Sequence, residues 1–235
     1  MDPFSSAFVA ALELIASLDP NLLEVIGLSL RVSLTALALA CLIGLPLGAL
    51  LAVVRFPGRG AVVVLVSALM GLPPVVVGLV VYVTFSASGP LGPLQLLYTP
   101  TVMVVAQAIL VTPIVAALAR QVIADLNVEY DETLRSMGTS GRMTIATLVW
   151  DARYSLLTAA LAGLGRALAE VGAVMIVGGN INHVTRMMTT AIALETSRGD
   201  LSMAMALGII LIALTIAING AVMAVRNGME RRAYG

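Results

Sequence analysis

The 235-residue sequence contains no lysine, so all thirteen of its basic residues are arginine. It holds one cysteine, Cys41, and one histidine, His183. A single thiol cannot close a disulfide within the chain, and it rules out a cysteine-based metal site. His183 has no second His or Cys with which to share a zinc ion. No GxxxxGK[ST] phosphate loop, HExxH or CxxC motif occurs. If ATP drives this protein, the nucleotide site is on another chain. Likewise an intramembrane enzyme would need a nucleophile–base pair or metal cluster, and the residue inventory offers neither. Catalytic residues, metal and cofactor are therefore all expected to be absent from this chain. The thirteen basic residues balance thirteen acidic ones, so net charge gives no argument for nucleic acid. Charged residues make up only 11% of the chain, where a soluble domain carries about 25%.

Apolar residues are abundant, at 60% of the sequence, and the mean hydropathy is +1.03. A helix that crosses a bilayer needs about 20 apolar residues. Five such segments stand out, running from about Leu28 to Val54, Ala61 to Phe85, Thr101 to Ala119, Ser155 to Val177 and Leu201 to Val225. They predict an all-α membrane protein, a five-span helical bundle in contact with lipid. The stretch from Phe4 to Leu18 is short for a span. Its Phe4, Phe8, Leu12 and Ile15 recur at helical spacing, which suggests an interfacial amphipathic helix, with a sixth span as the alternative. Asp2, Glu13 and Asp19, and the lack of a basic leader, argue against a cleaved signal peptide. The expected organisation is an N-terminal interfacial helix and lead-in over 1–26, a transmembrane domain over 27–225 and a tail over 226–235.

Prolines stand out in two of the segments. Pro46 lies between Gly44 and Gly48, and Pro73 and Pro74 sit midway along the second segment. Each removes a backbone hydrogen bond and kinks a helix. In lipid that is tolerated only where protein or a watery cavity satisfies the freed carbonyls. A packing kink and a pathway-lining role both fit.

Arginine distribution sets the expected orientation. Arg55 and Arg59 follow the first segment, Arg120, Arg135, Arg142 and Arg153 follow the third, and Arg226, Arg231 and Arg232 follow the fifth. The opposite connections hold Arg186 and Arg198, with Arg31 near the first segment. By the positive-inside rule the first set is cytoplasmic. Five spans then leave the N-terminus outside and the C-terminus in the cytoplasm.

The connection over about 120–154 is too long for a plain turn between bundle helices, for which roughly two to eight residues suffice. Leu126, Tyr130, Leu134 and Met137 recur every three or four residues, the stripe of a short helix. Gly138 is placed to end that helix, and a second short helix is expected from about Arg142 to Val149. Such a pair at the membrane surface forms a stiff knob able to transmit a rigid-body push from a soluble partner.

Glu132-Thr133-Leu134, three residues, Gly138, nine residues and Leu148 resemble the EAA loop of ABC importer permeases. That pattern reads Glu-Ala-Ala, three residues, Gly, nine residues, Ile, one residue and Leu-Pro. Thr133 and Leu134 replace the alanines, and Trp150-Asp151 replaces Leu-Pro. The segments GLPPVVVGLVVY, SGPLGPLQLLYTP, AQAILVTPIVAAL and AEVGAVMIVGGNINHVTRMMTTAIALETSRGD look like tungstate-type importer permeases. They are more distantly similar to molybdate and sulfate permeases. The resemblance covers about Gly27 to Val225. It implies a type I ABC importer permease whose cytoplasmic coupling-helix loop docks on a separate ATPase through Glu132, Thr133, Leu134, Ser136, Met137, Gly138 and Thr139. It further implies two such ATPase subunits, which bring ATP and Mg, and an extracytoplasmic oxyanion-binding protein. A second copy of this chain is expected as well, because one five-span bundle offers little room for a closed chamber.

Arg166 and Glu170 fall in the middle of the fourth segment. An ionisable group deep in lipid costs at least about 2.5 kcal/mol, so it faces protein or water. At i, i+4 on one helix they are expected to pair, either fixing the packing or contacting the anion. His183 and Arg186 are expected on the external face, where they would attract an anion, meet a binding protein or remain solvated. A short helix is expected over Met187–Arg198, ended by Gly199. The twelve methionines are scattered and read as packing residues.

Overall fold

The computed structural model describes residues 3–17 and 19–234, with the side chains of 3, 4, 6, 7, 14 and 225–234 left out of the description. The expected roles of Phe4 and of the tail arginines Arg226, Arg231 and Arg232 therefore lie outside the described residues. Among the described residues ten helices run in order: α1 (Pro3–Ala16), α2 (Pro20–Val53), α3 (Arg59–Leu69), α4 (Pro74–Phe85), α5 (Pro100–Ser136), α6 (Gly141–Asp151), α7 (Arg153–Leu168), α8 (Gly172–Gly178), α9 (Met188–Arg198) and α10 (Leu201–Tyr234). No strand occurs among the described residues. The helices α2, α5 and α10 (over Leu201–Ala224) are long and apolar enough to cross a bilayer. Counting α3 with α4 and α7 with α8 as one bent span each brings the total to five.

The bends are larger than the sequence suggests. At Pro73–Pro74 the helix does not kink but breaks, and α3 and α4 meet at 99°. A second break, of 56°, divides the fourth segment between α7 and α8. Pro46, by contrast, sits inside an uninterrupted α2, as Pro113 does inside α5. Helix α2 also begins earlier than residue 28. Asp19 Oδ1 accepts the free N–H groups of Asn21 (2.9 Å) and Leu22 (3.1 Å), which starts the helix at Pro20. The third segment does not stop at Ala119, because α5 continues to Ser136 without a break.

The chain folds as two compact units. The first gathers 1–35, 73–107 and 168–220. Within it, α4 and α8 lie against each other at their N-terminal ends. A Cβ added to Gly78 would stand 2.8 Å from Ala173 Cα, and one on Gly172 would stand 3.1 Å from Val75 Cγ2. Such close backbone approach requires the missing side chain and supplies van der Waals contact where lipid gives helices little reason to associate. Helix α9 seats on the start of α2 and on α10 through Leu22, Met188, Ala191 and Leu207. Ser29 Oγ accepts the N–H of Met188 (2.8 Å), one of the first-turn donors of α9 that has no partner within its own helix.

The second unit gathers 36–72, 108–167 and 221–235. Here α2 and α5 pack through small residues. A Cβ on Gly48 would meet Ala116 O at 2.6 Å and Ala119 Cβ at 2.8 Å. One on Gly163 of α7 would meet Val111 Cγ1 at 2.9 Å. Arg59 folds back from α3 and donates to the carbonyls of Leu51 (2.6 Å) and Ala52 (3.2 Å). A cation thus satisfies the last carbonyls of α2 and complements its dipole.

Candidate functional site

The elbow between α5 and α6, in the second unit, has a complete local explanation. Gly138 adopts φ +64°, a left-handed conformation that costs any other L-residue about 1–2 kcal/mol. Its N–H donates to Arg135 O (3.0 Å), and the Thr139 N–H donates to Leu134 O (3.2 Å). This is the Schellman pairing, and it satisfies the carbonyls at the end of α5. Thr139 Oγ1 also donates to Leu134 O (2.9 Å). Two residues on, Ser140 caps α6 by accepting the Met143 N–H (3.4 Å). The turn is therefore fixed by hydrogen bonds on both sides of the glycine.

Packing anchors the elbow to the helices beneath it. Leu148 is fully buried, and Leu134 nearly so, in a cluster with Ala49, Ala52, Ala119, Ile123, Ala152 and Leu156. Leu126 and Tyr130 pack on the same cluster, as their spacing predicts. Met137 leaves that stripe. The helix has already ended at Ser136, and Met137 is 71% exposed. The outward surface consists of Glu132, Thr133, Arg135, Ser136, Met137 and Gly138, with Met143 and Trp150 of α6 also exposed. Arg153 lies between two rings, 4.8 Å from the Trp150 centroid and 4.4 Å from the Tyr154 centroid, and stiffens the far end of α6. The seven residues expected to meet a partner therefore share one solid feature, with Leu134 as its buried anchor rather than part of its surface.

The residues singled out in the fourth segment are placed otherwise than one helix face would place them. Arg166 is in the last turn of α7, and Glu170 lies beyond the end of that helix, in the break before α8. Glu170 is only 2% exposed. Its Oε1 accepts the Ala173 N–H (2.9 Å), so the carboxylate stands at the positive end of α8. Its backbone carbonyl accepts the Thr189 hydroxyl (2.7 Å), which ties the break to α9.

His183 and Arg186 both lie in the connection between α8 and α9, but they do not form one site. His183 Nδ1 is 2.7 Å from Glu24 Oε2, in an exposed pair that joins this connection to α2. The backbone of His183 is left-handed, at φ +58°. Arg186 instead lines a cavity of about 50 Å³ with Asn21, Asn182 and Glu195. Its Nε is buried without a hydrogen-bond partner among the described residues. The connection itself is held by Thr185, whose Oγ1 accepts the Ile181 N–H (2.9 Å) and donates to Gly178 O (2.5 Å). Sequence reading missed Glu24 and Thr185. Glu24 is 159 residues from His183, and no local pattern signals that meeting. Thr185 carried a weak signal as a hydroxyl inside a glycine- and asparagine-rich turn. Among the described residues no group of three or more His, Cys, Asp or Glu side chains could hold a metal.

Comparison with known proteins places this architecture. Residues 44–233 match the family model described as the inner membrane component of binding-protein-dependent transport systems. The chain is 39% identical to a tungstate uptake system permease protein of Peptoclostridium acidaminophilum over 222 residues, 94% of this chain and 97% of that one. It is 35% identical to a tungstate uptake system permease protein of Campylobacter jejuni, over 93% of this chain and 92% of the relative. A sulfate transport system permease protein of Escherichia coli K12 is 30% identical over 81% of this chain and 67% of its own length. With the match running through nearly every helix described above, the chain belongs to the family of inner membrane components of binding-protein-dependent transport systems, the permease subunits of ABC transporters.

Proposed function

We propose that this chain is the membrane-spanning subunit of an ATP-driven importer for a tetrahedral oxyanion, with tungstate as the favoured substrate. The observation that carries the mechanical half of this reading is the elbow. A helix of 37 residues runs unbroken from the apolar region into a hydrogen-bonded turn and a second helix, all anchored by Leu134 and Leu148. Packed elements of this kind move as rigid bodies, so force applied at Glu132, Thr133, Ser136, Met137, Gly138 and Thr139 travels along α5 rather than dissipating in a loop. Two copies of the chain form the pathway, and each elbow receives one ATPase subunit, which supplies ATP and Mg. An extracytoplasmic binding protein delivers the anion from outside the cell, the side to which the arginine distribution assigns the connection carrying His183 and Arg186. The N-terminus is outside and the C-terminus in the cytoplasm, as the same distribution favours. ATP binding turns the pair outward-open and hydrolysis resets it.

The choice of anion rests on the relatives named for tungstate uptake, which are more similar than the one named for sulfate. Arg166 and Glu170 are assigned to the fixed architecture of the pathway, since the Glu170 carboxylate already caps α8.

The test begins with a Cys41→Ser background carrying Ser136→Cys. Crosslinking in membranes is expected to capture a nucleotide-hydrolysing subunit, and labelling of the introduced thiol from outside the cell would sink the reading. In liposomes holding permease, ATPase and binding protein, tungstate is expected to stimulate ATP hydrolysis more than sulfate does. Uptake driven by a proton gradient with no ATPase present would instead support an ion-coupled carrier.

A further inference from the structure

A cavity of about 160 Å³ opens beside the elbow, wholly within the second unit. Bulk water occupies about 30 Å³ per molecule, so this space is several waters large. Its lining includes Arg55, from the connection between α2 and α3, and Arg135, from the last turn of α5. Far apart in sequence, these two guanidinium groups are brought to one hollow by the fold. The only carboxylate in the described lining is Asp131. It bonds Arg135 Nε at 2.9 Å, leaving the two terminal nitrogens of that guanidinium without a partner among the described residues. Arg55 has no hydrogen-bond or carboxylate partner among the described residues either. The cavity therefore carries one positive charge in excess.

The remaining walls suit an anion. Asn127 offers an amide with no internal partner among the described residues. Thr139 and Thr144 also line the cavity. Thr139 Oγ1 commits its proton to Leu134 O, so the 3.1 Å contact between the two hydroxyls is donated by Thr144. The two hydroxyl protons are thus committed, and the open donors are the two arginines and Asn127. Planar guanidinium forks match the oxygen spacing of phosphate-like groups and bind them in bidentate fashion.

We propose that this cavity is a binding site for a tetrahedral oxyanion, which bridges the α2–α3 connection to the elbow. The ligand chemistry has two sources, the headgroup phosphate of an anionic lipid or a free phosphate-like anion. Basic hollows at the ends of membrane helices are known to hold lipid headgroups. Either ligand joins Arg55 to Arg135 and so couples the elbow to the end of α2, whose final carbonyls Arg59 already holds. The inference goes beyond the transport reading and does not need it.

The full chain is placed in nanodiscs of phosphatidylcholine and titrated with radiolabelled orthophosphate by equilibrium dialysis. In a second arm, native mass spectrometry measures retention of phosphatidylglycerol against phosphatidylcholine. Saturable binding is expected in at least one arm, and that arm names the source. Arg55→Gln and Arg135→Gln should each weaken it at least about fivefold, Arg55→Lys should weaken it less than Arg55→Gln, and Arg198→Gln, in the other unit, should leave it unchanged. No saturable binding in either arm overturns the proposal, as do glutamine variants that bind like the parent. No ATPase, binding protein or transported substrate enters these measurements, so their failure would leave the transport reading standing.

Discussion

In the unit made of 1–35, 73–107 and 168–220, seven polar side chains are buried among the described residues: Ser29, Ser33, Gln107, Glu170, Thr185, Thr189 and Thr190. In the unit made of 36–72, 108–167 and 221–235, every side chain that is buried among the described residues is apolar, and many are alanine. The difference follows from what each unit contains. The first holds α4, α8 and α9, short helices joined by breaks and turns, whose ends expose N–H and C=O groups that lipid cannot satisfy. Ser29, Glu170, Thr185 and Thr189 answer those groups one by one. The second holds long stretches of α2, α5 and α7, whose interiors satisfy their own backbone and approach closely, while Arg59 and Ser140 serve helix ends there. Close fit of small residues occurs in both units, and buried side-chain hydrogen bonds add to it in the first. The elbow belongs to the second, as a knob on a stiff support should.

The contrast can be broken in the apolar unit first. Leu148→Ala removes the fully buried anchor of the elbow and should cost about 2–5 kcal/mol, read as a lower unfolding midpoint and as faster proteolysis near residue 138. Gly48→Leu drives a side chain into Ala116 O and should cost about 3 kcal/mol. Gly165→Ala meets nothing within 4 Å and should stay within about 0.5 kcal/mol. Equal effects at the two glycines would deny that close fit holds this unit. Gly138→Ala keeps every packed side chain but strains the turn, and should cost about 1–2 kcal/mol while reducing ATPase coupling more than anion delivery. The smallest effects separate the two units directly. Thr189→Val removes the bond that ties α9 to the break before α8, at about 1 kcal/mol. Thr112→Val removes only a hydroxyl bonded to a carbonyl of its own helix and should be near neutral, within about 0.5 kcal/mol. Matching losses for the two threonines, measured by denaturant unfolding in mixed micelles, would erase the distinction.

Much of the elbow was legible in the sequence because its determinants are local. Gly138 ends α5 through bonds to Arg135 and Leu134, and Leu126, Tyr130 and Leu134 recur at four-residue spacing on one helix. Met137 marks the limit of that reading, since a periodic pattern does not say on which residue the helix stops. The prolines mark another. Pro46, Pro73 and Pro113 carry the same local penalty, yet only Pro73 and its neighbour Pro74 lie at a break. What differs is the surroundings. Beyond Pro73 the chain turns so that Gly78 can reach Ala173, a residue far along the chain. Glu170 was expected to share a helix face with Arg166. It caps α8 because the chain leaves the helix at Leu168, which four-residue spacing cannot foresee.

The sequence by itself determined that this chain lives among lipids as helices, that it carries no motif for nucleotide or metal chemistry, and that a helix ends at Gly138. Those facts depend on composition, period and neighbours in sequence. Only the tertiary structure decided where two spans snap rather than bend, that Glu24 meets His183, and that Arg55 and Arg135 face one hollow. Each of those depends on contacts between residues far apart along the chain, and their energies enter only when the helices have already come together.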